Sequence, residues 1–450
     1  MSAFRTPPSP ALPLEILYTV VESVDGLWAV ERTLSNCALT CHALLSCSRK
    51  ALYRNIAVRL GSPQGFVQAE LLSRTLSADP TLGALIQSLV ISHTTASGLR
   101  LPGNDDTLER PLLSSTLLPF GHMSQLRTLV LSHLQFQQAD DFLDLIVSLP
   151  RLKRLACDAI AILDATEWPR LRSPDTRFPA LSALRVHDWS GPYHTFTPLL
   201  FLRDTEDVGG VVQALDLDCG SAVVGLAWAG TIRATNARLN SLKISMADVD
   251  LEPHPAQLAI LLDQFGGSLH SYVLESISSC AYLRTLSLKH IPRTRVREKD
   301  EIHDGTFLNV LCGVLERRPP PFPALERLHL RMLEVEGEMV GASDDVCARL
   351  ASSLLDKAAR PHFAHFGILV PVGVWSEDEG TWDIQYIQPI LYTLNGSRVD
   401  PEAVRGRWRA AFSALQRAPD VELDITLFDC TDPAVQRACT PWSSSWYMHY

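Results

Sequence analysis

A six-residue phrase, Leu-x-x-Leu-x-Leu, recurs along this chain and constrains its fold more than any other feature. Seven copies follow one another, with their marked apolar positions at 126-129-131, 152-155-157, 181-184-186, 212-215-217, 239-242-244, 283-286-288 and 325-328-330. One copy would mean little, because three apolar residues at this spacing occur by chance. Seven copies predict an array of strands that each bury one edge against their neighbours. Such an array is typical of a recognition surface and argues against a catalytic pocket.

The spacing of the phrases is that of leucine-rich repeats with insertions. Successive middle leucines are 26, 29, 31 and 27 residues apart from Leu129 to Leu242, and then 44 and 42 residues apart as far as Leu328. Leucine-rich repeats have about 20–29 residues. The Asn or Cys that usually follows the phrase is replaced in every copy, by Leu134, Ile160, Trp189, Gly220, Ala247, Ile291 and Leu333. We therefore expect an α/β fold, an irregular horseshoe of parallel strands alternating with helices and lacking a continuous polar ladder.

Apolar periodicity predicts the helices and the remaining strands. A compact helical unit is predicted over 12–56, with its second and third helices near 34–45 and 48–56. Further helices are predicted at 66–76, 140–149, 256–265, 271–280, 306–317, 344–359 and 401–417. Asp140 is the expected cap of the helix at 140–149. Three strands beyond the seven phrases are predicted at 85–91, 363–370 and 421–428.

Composition and charge exclude several classes of protein. The 450 residues are 46% hydrophobic and 20% charged, which argues against disorder over the whole chain. The net charge of -10 argues against a nucleic-acid partner, since binding to phosphates needs a basic face. No segment approaches the ~18 apolar residues of a membrane span, and the first residues have no apolar signal-peptide core. We expect a cytoplasmic or nuclear protein with no membrane partner.

Three short segments carry a resemblance to a known family. Leu12-Pro13-Leu14-Glu15-Ile16-Leu17 is similar to the opening of an F-box, Leu34–Cys41 resembles its second helix, and Ala51–Ile56 resembles its close. The whole chain resembles the F-box-like leucine-rich-repeat proteins that are numerous in mushroom-forming fungi. In that family the F-box docks on Skp1 within a cullin-based ubiquitin ligase, and the repeats behind it hold the substrate.

The resemblance implies a non-enzymatic adaptor, the substrate receptor of a Skp1–cullin–F-box type ubiquitin ligase. Its partners would be a Skp1-like protein and a protein substrate that the sequence does not identify. The residues implied to meet Skp1 are Leu12, Pro13, Ile16 and Leu17, with Leu39, Leu44 and Tyr53 supporting or joining that surface. Leu44 stands where the family usually has Trp or Phe. This departure motivates the alternative of a leucine-rich-repeat binding scaffold without ubiquitin-ligase association.

Four segments are expected along the chain. Residues 1–11 are rich in Pro and Ser and are expected to form a disordered tail. An F-box-like helical domain at 12–60 and an irregular leucine-rich-repeat domain at 61–430 follow. Residues 431–450 are expected to form a C-terminal tail or cap, in which the aromatic segment 442–447 is either a docking peptide or a strap over the array.

Strand alternation identifies candidate residues for substrate binding. The leucines of each phrase face the core, so the residues between them face outward. The outward candidates are Arg154, Asp158, Arg185, His187, Asp216, Asp218, Lys243, Lys289, His329 and Arg331. If this face binds the partner, charge reversal at Arg154, Asp216, Lys243 or Arg331 should weaken binding and leave the melting temperature nearly unchanged. The alternative is a solvated sheet face of mixed charge.

Two aromatic insertions, at 189–201 and 375–392, form a second candidate surface, with Trp375 and Trp382 as its candidate substrate-binding residues. Aromatic side chains in polar loops are favoured interface anchors. The alternative is that these insertions fold back and cap the ends of the array.

No catalytic residue, cofactor or metal ligand is expected, since Gly-x-Ser-x-Gly and a phosphate-binding glycine loop are both missing. Cys37, Cys41, His42 and Cys47 resemble zinc ligands, but the first two share an apolar helix stripe and His42 is turned about 100° from Cys41. A buried core is the preferred interpretation there. Four histidines each follow a strand, namely His93, His133, His187 and His290. Hydrogen bonding to nearby backbone is preferred for them over a functional row.

Overall fold

The computed structural model shows a mixed α/β protein whose chain divides into two compact units. The described residues are 30–40, 42–60, 63–93, 113, 118–158, 160–164, 179–187, 212–219, 228, 232, 239–247, 269–278, 280–291, 306–331, 334–335, 338–339, 342–373 and 400–428. Those up to Leu152, together with Pro179, belong to the first unit, and the others belong to the second. Within these ranges no helix has the length and apolar character needed to cross a membrane.

Among its described residues, the first unit contains three parallel strands, a shorter fourth strand and five α-helices. Its helices are α1 (Val30–Thr40), α2 (His42–Arg54), α3 (Pro63–Ala78), α4 (Pro80–Gly83) and α5 (Ala139–Val147). The strands are β1 (Asn55–Arg59), β2 (Ser88–Ser92) and β3 (Thr128–Ser132), with β2 in the middle, and a short β4 (Gln135–Gln138) follows. The register aligns Ile56 with Leu89 and Leu89 with Leu129, so the apolar positions meet across the strands.

The region from 34 to 59 differs from its prediction. The helices predicted at 34–45 and 48–56 are wrong in their bounds, since α1 ends at Thr40 and α2 runs unbroken from His42 to Arg54. Ile56 lies in β1, where it alternates with exposed neighbours and pairs with β2. The close approach of α3 to this strand requires Gly65, because a Cβ there would lie 1.5 Å from the Arg59 carbonyl oxygen.

The helices predicted at 66–76 and 140–149 are confirmed as α3 and α5. The predicted cap Asp140 is wrong by two positions, because Gln138 is the residue that precedes α5 in an extended conformation. Its backbone N–H donates to Asp141 Oδ2 at 3.1 Å. This reciprocal capping box satisfies backbone donors at the helix start.

Within the described part of the second unit, eight parallel strands form the main sheet. In spatial order they are β5 (Arg154–Asp158), β7 (Ala183–His187), β8 (Ala214–Cys219), β9 (Ser241–Ala247), β10 (Thr285–Ile291), β11 (Arg327–Arg331), β14 (His365–Gly373) and β15 (Glu422–Phe428). The same part of the chain also has three shorter strands, which are β6 (Ala161–Asp164), β12 (Glu334–Val335) and β13 (Glu338–Met339). Strand β12 pairs in parallel with the last residues of β14. The strands predicted at 85–91, 363–370 and 421–428 are confirmed as β2, β14 and β15.

The phrases align across this sheet without a shift in register. One row of paired positions runs Leu155, Leu184, Leu215, Leu242, Leu286, Leu328, Phe366 and Leu423. The first seven of these side chains are buried. The leucine face of the sheet is therefore the core, as the alternation predicts, and each phrase is one structural repeat.

A shared backbone acceptor recurs just before the strands. The carbonyl oxygen of Gln213 accepts from the N–H groups of Asn240 and Ser241 at 2.8 and 3.0 Å. The same two-donor arrangement occurs at the carbonyls of Gln87, Lys153, Ser182, Asn240, Arg284 and Glu326. In every case the acceptor residue immediately precedes a strand, and the donors belong to the next repeat. A one-residue slip would break these bonds, so they reinforce the common register.

The helices of the second unit pack on the leucine face. They are α6 (Leu269–Ile277), α7 (Thr306–Leu315), α8 (Asp344–Leu355), α9 (Pro401–Ala411) and α10 (Ser413–Gln416). The ring of Phe366, in the leucine row, lies 4.9 Å from that of Phe412, which stacks 6.4 Å from Trp408. The helices predicted at 271–280, 306–317 and 344–359 are confirmed as α6, α7 and α8, and each of them ends two to four residues earlier than predicted. The helix predicted at 256–265 lies outside the described residues.

The single helix predicted at 401–417 is wrong, because the chain leaves helical geometry at Phe412, with φ -107° and ψ 31°. This break separates α9 from α10. It also allows the buried Phe412 ring to pack between Phe366 and Trp408.

Candidate functional site

The residues between the buried leucines form the opposite side of the second unit's sheet, which we call the polar face. Its central row runs Ala156, Arg185, Asp216, Lys243, Ser287, His329, Gly367 and Asp424. The row of first strand residues runs Arg154, Ala183, Ala214, Ser241, Thr285, Arg327, His365 and Glu422. Because the strands share one register, polar side chains that are distant in sequence become neighbours.

Asp216 is the centre of a group of ionisable side chains at one end of the polar face. Its Oδ1 lies 2.8 Å from His187 Nε2, and its Oδ2 lies 3.2 Å from Lys243 Nζ. Arg185 and Asp158 complete this group, which we call the charged cluster. Its five residues come from the four neighbouring strands β5, β7, β8 and β9.

Arg185 links the two carboxylates of the charged cluster. Its Nε lies 3.2 Å from Asp158 Oδ1 and 3.9 Å from Asp216 Oδ2. Its Nη2 lies 3.2 Å from His187 Nδ1. Since a guanidinium can only donate, Nδ1 of His187 is the acceptor and Nε2 carries the proton given to Asp216. The hydrogen bonds thus fit one neutral tautomer of His187.

Burial decides how these charges behave. Arg185 and Asp216 are only 5% and 4% exposed. Burial alone would raise the pKa of the Asp216 carboxyl, but the hydrogen bond from His187 and the charges of Lys243 and Arg185 outweigh it and lower that pKa. Burial lowers the pKa of the Lys243 ammonium, and the attraction of Asp216 offsets only part of this effect. The carboxyl group of Asp216 is therefore ionised, and its contacts with His187, Lys243 and Arg185 hold it in place.

The charged cluster combines two carboxylates with an imidazole, a guanidinium and an ammonium, so it offers donors and acceptors of both signs. Its members contain no hydroxyl or thiol that could act as a nucleophile. The adjacent Cys157 belongs to the leucine face, and burial followed by the charge of Asp158 raises the pKa of its thiol. Cys157 is therefore a protonated core residue.

A second group lies at the other end of the polar face, on β11, β14 and β15. The ring centroids of His329 and His365 are 4.9 Å apart, and His365 Nδ1 lies 3.2 Å from Glu422 Oε2. Burial, followed by the proximity of His365, lowers the pKa of His329 to about 4. His329 is therefore neutral at neutral pH.

The structure brings together only part of the predicted substrate-binding set. Five of its residues form the charged cluster, and His329 joins His365. Arg154 is exposed and Arg331 half-buried, both on the same face. The backbone places Asp218 and Lys289 on β8 and β10 in outward register. Trp375, Trp382 and the insertion at 189–201 lie outside the described residues.

The residues implied to meet Skp1 are described only in part. Leu12, Pro13, Ile16 and Leu17 lie outside the described residues. Leu39 of α1 is 86% exposed. Leu44 and Tyr53 of α2 are half-buried.

The polar-face residues missed from the sequence include four on β14 and β15, namely Gly367, His365, Glu422 and Asp424. The strands that carry them were predicted at 363–370 and 421–428, but outward positions were assigned only in the seven leucine phrases. Extending the same alternation to β14 and β15 would have found all four.

Two interpretations of histidine and cysteine need revision. The ring of His187 bonds to the side chains of Asp216 and Arg185, so backbone bonding is wrong for this residue. Cys37 and Cys47 are half-buried, not fully buried as expected. Across the described ranges, no three His, Cys, Asp or Glu side chains are placed together to hold a metal ion.

No model of a protein family matches the chain, and no curated protein matches it.

Proposed function

We propose that this protein is a non-enzymatic adaptor whose polar face binds a protein substrate and whose N-terminal region binds a Skp1-like protein in a cullin-based ubiquitin ligase. The observation that carries the proposal is the order of the polar face. Ionisable side chains stand in rows on parallel strands whose register is reinforced by shared backbone acceptors. Repeat arrays of this kind commonly use such a face for binding.

The charged cluster suits recognition because its side chains are already ordered. Ordering a free Arg or Lys side chain on binding costs about 0.5–1.5 kcal/mol. In Arg185 and Lys243 that freedom is already restricted by Asp158 and Asp216. A partner that meets this end of the face therefore encounters a rigid pattern of charge, which favours specificity.

Support for the Skp1-like partner comes from the resemblance of residues 12–17 and from Leu39. An isolated exposed leucine is common on protein surfaces. Leu39, however, lies in the stretch that resembles the second F-box helix, where the family docks on Skp1. A partner that covered this side chain would remove its apolar surface from water, at about 25 cal/mol per Å².

Co-purification with Skp1 tests the ligase part of the proposal. We expect wild-type protein to bind Skp1 at micromolar concentration, and Leu12→Ala/Pro13→Ala or Leu39→Asp to weaken binding by about tenfold or more, since each removes apolar contact. Leu163→Asp is the matched control, because Leu163 is 54% exposed and lies in the second unit. Absence of binding by the wild type would rule out the ligase role.

A binding scaffold without ligase association is the second candidate, and Leu44 is the observation that favours it. The family usually has a larger aromatic side chain at this position. The two candidates share the polar face and differ only in Skp1 binding, so the same co-purification separates them. Affinity capture of the intact protein from its native cells would identify the substrate in either case.

A further inference from the structure

The middle strands of the polar face, β9, β10 and β11, are basic where they pair with one another. Their register aligns nine outward positions in three rows. Four of these residues carry hydroxyl groups, one is His329, and the remaining four are Lys243, Lys289, Arg327 and Arg331. We call these four basic residues, with the hydroxyl residues between them, the basic patch. It contains no acidic residue, although the chain as a whole has a net charge of -10.

Acidic residues border the basic patch on both sides. On β8, Asp216 pairs in register with Lys243, and its Oδ2 lies 3.2 Å from the Lys243 ammonium. On β15, Glu422 and Asp424 are both exposed. The positive charge is thus confined to a strip about three strands wide, which at a strand spacing of about 4.8 Å is narrow.

The ring of His329 limits the basic patch towards β14. A Cβ at Gly367 would lie 2.5 Å from His329 Nδ1, so this ring lies over the glycine, with its centroid 4.9 Å from that of His365. Thr285 and Ser287 on β10 are small and half-buried. The middle of the patch therefore has short hydroxyl side chains, and the longer basic side chains of β9 and β11 stand on either side of them.

We propose that the basic patch binds an extended acidic segment of the protein substrate through its Asp and Glu carboxylates. This inference rests on the proposed function and specifies the chemistry of the substrate. Arg327 and Arg331 are four residues apart on β11, which at about 3.3 Å per residue is about 13 Å. An extended segment with acidic residues at every second position has its carboxylates about 6.6 Å apart on one side. The first and third of three such residues would therefore meet the two arginines.

The spread of the charge favours several carboxylates over one phosphate group. A phosphate is usually bound by groups that converge on one point, often with bidentate arginine contacts. In the basic patch, the positive charges are distributed over three strands, and Lys243 is already paired with Asp216. The acidic borders also disfavour a nucleic acid, because a long polyanion would extend over Glu422 and Asp424. A short acidic peptide fits between these borders.

The test is fluorescence anisotropy with the full-length protein and a labelled synthetic peptide in which Glu and Ser alternate. We expect a dissociation constant of about 100 micromolar or lower at low salt. Raising NaCl from about 50 to about 300 mM should weaken binding by about tenfold, because exposed charges are screened. The same peptide with Gln in place of Glu is the control ligand and should bind at least about tenfold more weakly.

Variants of the two arginines locate the binding surface. Arg327→Gln and Arg331→Gln should each weaken binding about threefold or more, and the double variant about tenfold or more, with circular dichroism showing retained folding. Asp424→Asn should strengthen binding about twofold, because it removes repulsion at the border of the patch. The matched control is Arg154→Gln, an exposed arginine on β5, which is five strands or about 24 Å from β11 and should bind as the wild type does.

Three results would overturn the inference. The first is a wild-type protein that binds the Glu and Gln peptides equally, and the second is undiminished binding of the Glu peptide by the folded double variant Arg327→Gln/Arg331→Gln. The third is a Gln peptide with a single phosphoserine that binds more tightly than the Glu peptide, which would assign the patch to phosphate. None of these assays contains Skp1, so loss of the ligase role in the co-purification is distinguished from failure of this inference.

Discussion

At the scale of single residues, burial separates the polar-face side chains into structural and accessible ones. Asp216 and Arg185 are almost fully buried, whereas Arg154 and Arg327 on the same face are exposed. Strand alternation predicts which side of the sheet a residue faces, but it does not predict how deeply its side chain is buried. The sequence alone therefore does not separate these four side chains. Charge reversal at Asp216 was expected to leave the melting temperature nearly unchanged. The structure contradicts this expectation, since Asp216 holds three basic groups in a buried setting.

Asp216→Asn tests the structural role of the charged cluster. It removes the charge that balances Arg185 and Lys243, and breaking a buried pair on one side destabilises by about 3–5 kcal/mol. We expect the free energy of unfolding, measured by urea denaturation, to fall by an amount of this order. Arg154→Gln is the control for an exposed charge on the same face and should change stability by less than about 0.5 kcal/mol. Equal effects of the two changes would contradict the assignment of Asp216 as the centre of the charged cluster.

His329 predicts a pH dependence of stability. Its pKa is about 4 in the folded protein against 6.5 in a model peptide, chiefly because of burial. Between these values the unfolded chain binds more protons, so this contribution is fully present above about pH 6.5 and is lost as pH falls towards 4. The loss is at most about 3 kcal/mol, at 1.36 kcal/mol per pKa unit. Between about pH 6.5 and 4, the free energy of unfolding of His329→Gln should therefore depend less steeply on pH than that of the wild type. Identical slopes of the two proteins would refute the prediction.

At the scale of elements, the ends of two helices are joined by a buried arginine. Arg360 is 1% exposed and donates from Nη1 to the Ser353 carbonyl at 2.5 Å and from Nη2 to the Leu315 carbonyl at 2.7 Å. These carbonyls lie in the last turns of α8 and α7, where backbone acceptors lack partners and a positive charge is favoured. Burial lowers the pKa of the guanidinium. No motif in the sequence signals this contact, because Leu315 and Arg360 are 45 residues apart.

Arg360→Met tests this link between α7 and α8. Methionine keeps much of the apolar volume but leaves two carbonyl groups without their charged donor, and each such bond contributes about 1.5–3 kcal/mol. We expect a lower melting temperature and faster hydrogen exchange at the ends of both helices. Arg318→Met is the control, since Arg318 is 67% exposed in its ion pair with Asp356 and should matter by less than about 1 kcal/mol.

At the scale of the whole molecule, binding is expected to depend on the accessible charges of the polar face. Arg154→Glu/Arg327→Glu reverses two exposed charges in the row of first strand residues. Once the substrate is identified, we expect this double variant to bind it about tenfold more weakly than the wild type does. The association rate constant should fall, and the melting temperature should change little. Unchanged affinity would indicate that the substrate binds at the aromatic insertions around Trp375 and Trp382 instead.

The sequence by itself determined the repeat, the parallel strands and the side of each strand that faces the core. These follow from local apolar periodicity, because a strand with leucine at every second position can bury only one face. Tertiary structure alone decided the charged cluster, the position of Gly367 between two histidines and the contacts of Arg360. Each of these joins side chains about 27 to 45 residues apart, so only the common register of the strands and the packing of the helices bring them together.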